Sequence, residues 1–191
     1  MRKTCPPSEY LKIDNNIKSL ANEILSNEEI FEAETISQSL EKKSSRLKAI
    51  RFLQKKVGDR PKRPIYYANF ELNYLPYRTR DAVRYAGDYI DQLVKCLAIE
   101  IWGNPSYGQK SLGVNLRHLH NKIPELLYSG LERYNNWIYV PAKHEFKIKE
   151  GRKHLFTSKE VVYIYYITLK LKEKIVEISK EAKNYSEDFY P

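Results

Sequence analysis

"TRDAVRYAGDYIDQLVKCLAIEIW", residues 79–102, decides the fold. Val83, Ala86, Ile90, Leu93, Leu97 and Ile101 recur at spacings of three and four, which places them on one stripe of a long α-helix. Gly103, Pro105 and Gly108 close it in a loop. A stripe of that length must be covered by other elements. The rest of the chain offers mainly further amphipathic helices, so an all-α bundle is expected.

Downstream, Ser111 opens a second helix, and Pro124 suits the first turn of a third that reaches about residue 134. Thr157 with Glu160 forms a capping-box signature ahead of a last helix to about 182, striped by Val161, Ile164, Ile167, Leu171, Ile175 and Ile178. Upstream, Leu11, Ile13, Ile17, Leu20 and Ile24 predict a helix over 9–25. Ser26 and Glu29 then cap a helix over 28–56, striped by Ile36, Leu40, Leu47, Ile50 and Val57, with "EKKSSR" as a candidate break. "GDRPKRP" (58–64) reads as a basic linker, and the proline-bracketed, aromatic "IYYANFELNYLP" (65–76) reads as extended. The expected division is a helical extension with its linker (1–64), a bundle (65–183) and a frayed tail (184–191).

With 191 residues there is room for one domain with a real core. A net charge of +9 favours polyanion partners: RNA, DNA or an anionic membrane surface. The most apolar run, 161–169, is too short to span a bilayer. Cys5 and Cys96 have neither metal-ligand nor redox spacing, and no leader-like run opens the sequence, so a cytoplasmic location is expected. No phosphate-binding glycine loop, nucleophile elbow or zinc-finger spacing is present, and no cofactor or metal is expected. His118 and His120, two apart on a helix, point to different sides and make a poor chelate.

One stretch interrupts the helical pattern. "YNNWIYVPAKHEF" (134–146) gathers aromatics, a proline and Lys143-His144, and predicts an irregular connection. Beyond it, "FKIKEGRKHLF" turns at Glu150-Gly151, a hairpin signal that would return Arg152, Lys153 and His154 toward Lys143 and His144. Such a grouping suits a phosphate, and Tyr134, Trp137 and Tyr139 offer stacking faces for unpaired bases. Arg80, Arg84, Asp88, Asp91 and Lys95 line the polar side of helix 79–102, where Arg84–Asp88 and Asp91–Lys95 are spaced to pair. A basic run holding Lys42, Arg46, Lys48, Lys55 and Lys56 is a further track for a nucleic-acid backbone or a face for an anionic membrane, and Tyr163 and Tyr166 lie off their stripe as interface candidates.

The order within "SLGVNLRHLHNKIPELLYSGLERYNNWIYVPAKHEF" (111–146) is a short helix from "SLG", a proline-led helix ending in Tyr-Asn, and then a histidine. With the long helices on either side it resembles HEPN-superfamily domains over about residues 78–180. That resemblance implies a helical bundle, often a homodimer, that acts on RNA, in many members as a metal-independent ribonuclease. The family motif is an arginine, usually followed by a polar residue, and a histidine after four to six intervening residues. Here Trp137, Ile138 and Tyr139 stand where the arginine belongs for His144, and Lys147, Ile148 and Lys149 where it belongs for His154. With no family arginine in place, the expected site is a composite one: His144 as acid–base group, Lys143 and Arg152 holding phosphate, Asn135 orienting His144, and His154, Arg84, Asp88, Trp137 and Tyr139 contacting substrate. The alternative is a catalytically silent module that dimerises or masks a protein partner in a defence or toxin–antitoxin system.

Overall fold

Every described residue run of regular structure is helical. The computed structural model describes residues 13–57, 64–75, 78–144 and 156–187. In chain order the helices are α1 (Asn15–Ile24), α2 (Asn27–Glu41), α3 (Lys43–Val57), α4 (Pro64–Glu71), α5 (Thr79–Trp102), α6 (Leu112–Leu119), α7 (Glu125–Tyr134), α8 (Val140–Lys143), α9 (Ser158–Ile178) and α10 (Lys180–Glu187). No helix among the described residues is long and apolar enough to cross a membrane.

The predicted stripe of α5 is its buried face: Val83, Ala86, Ile90, Leu93 and Leu97 are at most 1 % exposed. Ile101 falls in the last turn, beyond the core, and is exposed. Gly103 ends the helix in the left-handed region (φ 60°), its N–H bonded to the Ile99 carbonyl at 2.8 Å. Against α5 pack α4, α9, α10, α6 and the segment before α8. Helix α9 is buried continuously from Val161 to Thr168, because α5 covers one side and α1 and α2 cover another. Tyr163 and Tyr166 are therefore not at a free surface. Tyr163 donates to Glu34 at 2.8 Å, and the Lys56 ammonium lies 5.0 Å from the Tyr166 ring centre.

Both capping boxes form, at Ser26/Glu29 and at Thr157/Glu160. The Glu160 carboxylate does more than cap α9. One oxygen accepts from the Thr157 N–H at 2.8 Å and the other from the N–H of Asp14 at 2.7 Å. Asp14 is itself the N-cap of α1, so the starts of two helices share one buried carboxylate.

Several expectations are corrected. Helix α1 starts after Asp14, and residues 1–12 lie outside the described residues. "EKKSSR" is a true break, at Lys42. The seam of α3 runs through Ala49, Ile50 and Leu53, leaving Leu47 exposed. The stretch read as extended at 65–76 forms, over its described residues 65–75, α4 and a 3-10 turn, Leu72–Tyr74. Pro64 occupies the first helical position, where a missing N–H costs nothing. Ile65, Ala68, Leu72 and Leu75 supply a buried stripe at helical spacing. The last long helix is interrupted at Ser179, whose hydroxyl donates to Glu100 at 2.6 Å, and α10 continues to Glu187. Residues 184–187 are thus helical, with Tyr185 against Tyr89.

The connection at 134–146 is helical as far as Lys143. After α7 the chain widens into a π turn, Asn135–Tyr139, with the Val140 N–H bonded to the Asn135 carbonyl five residues back, and passes directly into α8. Pro141 explains the wide turn: in a regular helix its ring would strike the carbonyl four residues earlier. The expected hairpin at Glu150-Gly151 lies outside the described residues.

Candidate functional site

Four-residue spacing puts Arg80, Arg84 and Asp88 on one side of α5. The π turn and α8 lie across that side. Gly87 permits this approach, since the Tyr139 ring occupies the space where a Cβ would stand. The Tyr139 hydroxyl donates to Asp88 Oδ1 at 2.7 Å and accepts from the Lys143 ammonium at 3.0 Å. Burial, reinforced by the Asp88 carboxylate that accepts its proton, pushes the Tyr139 hydroxyl well above its ordinary pKa. It stays a proton donor, which fixes the direction of both bonds. An ammonium, a phenol and a carboxylate thus form one ordered chain, from exposed Lys143 through buried Tyr139 to partly buried Asp88.

Arg80 completes this corner. Its Nε donates to the Ala142 carbonyl at 2.8 Å, clamping the first turn of α5 to the last turn of α8. Lys143 and His144 are both exposed there. Arg84 does not pair with Asp88 as expected. It lies 3.6 Å from Asp81, with its guanidinium 4.7 Å from the Tyr85 ring centre, and Tyr85 in turn contacts Tyr67. The Asp91–Lys95 pair forms at 2.8 Å, with Asp91 buried and not on a solvated face.

Of the residues read from the sequence, Asp88, Tyr139 and Lys143 are brought together, with Arg84 a turn away and His144 adjacent. Asn135 is not part of this corner. It stands nine helical residues before His144, roughly 13 Å along the axis, and donates to Asn136 at 3.1 Å. Both asparagines line a separate cleft of about 350 Å³ between α6 and α7, with Ser111, Arg117, Tyr128 and Glu132. Trp137 faces α1, under the Arg133 guanidinium at 5.5 Å, where Arg133 pairs with Glu23. Arg152 and His154 lie outside the described residues.

A second basic and aromatic patch went unread in the sequence. At the far end of α5 the Trp102 and Tyr107 rings stack within 11° of parallel. Lys110 lies 3.7 Å from the Tyr107 ring centre and Lys122 5.4 Å from that of Trp102, while His118 meets the Tyr107 edge. His120 lies instead against Tyr128, so the two histidines serve different rings. The legible signal was an aromatic on each side of the Gly103 stop. Among the described residues no three His, Cys, Asp or Glu side chains are grouped to hold a metal ion. The chain matches no family model, no curated protein and no solved structure.

Proposed function

We propose that the protein binds single-stranded RNA across the corner where α5 meets α8. One observation carries the reading: the Lys143 ammonium is held by Tyr139 beside the Arg80–Ala142 clamp, next to the exposed His144. A lysine positioned through one N–H keeps two donors for phosphate oxygens. Arg84 on the same side of α5 is the next phosphate contact, and Tyr67 and Tyr85 beside it offer ring faces for bases. The patch at Trp102 and Tyr107 extends the same chemistry to the other end of a helix about 36 Å long.

The resemblance to HEPN domains agrees with this reading and adds metal-independent cleavage by a homodimer. In that extension His144 is the acid–base group, which transfers the 2′-hydroxyl proton or protonates the leaving oxygen. Lys143 and Arg84 stabilise charge on the phosphate. Asn135 has no part in it, because its distance forbids orienting His144.

Titration of single-stranded RNA at several salt concentrations tests the reading. Log affinity falls linearly with log salt, and Lys143→Gln with Arg84→Gln reduces that slope by about 0.7 per lost phosphate contact. Binding that ignores salt, or an unchanged slope in the double variant, refutes it. Cleavage in EDTA that His144→Ala leaves intact removes the acid–base assignment. Salt-independent capture of a protein would favour the silent docking module, which has Phe31 and Leu47, 75 % and 56 % exposed on α2 and α3, in its favour.

A further inference from the structure

Between α3 and α4, outside the stretch that resembles HEPN domains, lies an open cavity of about 510 Å³. That is within the range of small-ligand sites, roughly 300–1,000 Å³. Its lining is chemically sorted. Arg51 and Lys55, four apart, come from α3; Tyr66 and Phe70, four apart, come from α4. Cations therefore face rings across the opening.

Between them stands a set of amides with fixed orientation. Gln54 Nε2 donates to the Asn69 carbonyl at 3.0 Å and to Asn73 Oδ1 at 3.2 Å, which uses both of its hydrogens. Gln54 Oε1 is left to accept. Asn73 Nδ2 gives one hydrogen to the Phe70 carbonyl at 3.1 Å and keeps a second to donate. One acceptor and one donor thus remain on two amides that line the cavity, the two functions that a nucleobase edge carries.

We propose that this cavity binds a nucleoside monophosphate unit, either free or as an unpaired nucleotide of an RNA strand. The base lies against Tyr66 and Phe70, its edge meets Gln54 and Asn73, and its phosphate sits between Arg51 and Lys55. A bare anion would need only the cations. A purely apolar ligand would leave the oriented amides without partners. The proposal does not depend on the α5–α8 corner.

The full chain is titrated calorimetrically with each of the four ribonucleoside monophosphates and with ribose 5-phosphate, and then with short RNA oligomers. At least one monophosphate is expected to bind about tenfold more tightly than ribose 5-phosphate, since base stacking contributes on that scale or more. Phe70→Ala, at a side chain 49 % exposed and so not needed by the core, lowers that affinity about fivefold or more. Arg51→Gln weakens every monophosphate alike, and Gln54→Leu levels the differences among bases. If only the oligomers bind and Phe70→Ala weakens them, the nucleotide belongs to a strand. If neither ligand responds to Phe70→Ala or Arg51→Gln, the proposal is overturned. The Lys143→Gln, Arg84→Gln variant retains monophosphate binding, so failure of the corner and failure of the cavity give different results.

Discussion

Replacing Gly87 by alanine opposes two effects of known sign. In a helix interior the change alone stabilises by about 1 kcal/mol, because glycine loses more backbone freedom on folding. Here the new Cβ would lie 2.8 Å from Cγ and 2.9 Å from Cε2 of Tyr139, and nearer still to Cδ2. These atoms are in the body of the ring, and the ring cannot swing away. It is 3 % exposed, and its hydroxyl is tied to Asp88 and Lys143. Overpacking of this kind costs about 1–3 kcal/mol, and contact with three ring atoms argues for the upper end. The net expectation is a loss of about 2 kcal/mol. For a chain of this length that lowers the melting temperature by about 4–8 °C. Thermal melting followed by circular dichroism measures it, and under the proposed function RNA binding is expected to weaken in parallel as Lys143 loses its anchor. A melting temperature that rises by about 2–4 °C, the value for propensity alone, refutes the close packing of Tyr139 on α5.

Glu160→Gln keeps the shape of the shared cap but turns an amide donor toward one of the backbone donors of Asp14 and Thr157. A loss of about 1–3 kcal/mol in urea unfolding is expected, while a change within about 0.5 kcal/mol, as at ordinary surface sites, contradicts the double role. Glu100 gives a pH dependence. The Ser179 hydroxyl, with the N–H groups of Glu181 and Lys180, holds its carboxyl below the ordinary value of 4.5. Its folded pKa is thus the lower one, so its contribution is complete above about 4.5 and disappears as pH falls through the depressed value. Docking of α10, followed by Tyr185 and Tyr89 absorbance, weakens in that acid window, and Glu100→Gln flattens this limb; an identical limb in the variant counts against the assignment.

The sequence made legible whatever depends on neighbours three or four residues apart. The stripe of α5 and both capping boxes fall in this class, because their partners lie within one turn. Misreadings arose where distant groups decide. Exposed Tyr67 and Phe70 masked the buried stripe of α4 and gave an impression of alternation. Helix α9 stops at Ser179 because Glu100, 79 residues earlier, receives its hydroxyl. Arg84 and Asp88 are correctly spaced to pair, yet Tyr139 reaches Asp88 from 51 residues away. The candidate corner was half legible. Its residue types were visible, but the choice of Tyr139 and Lys143 over Asn135 and Trp137 required the π turn, which no periodicity announces.

That turn has a consequence for how the chain tolerates length changes. One surplus residue in a single coil advances every later side chain by about 100° around the axis, so the azimuth of Lys143 and His144 is set by the interval 135–139 and not by their own identities. Deleting one residue there would leave both in the sequence while rotating them away from α5. The corner is therefore more vulnerable to a one-residue indel upstream than to many point substitutions within it.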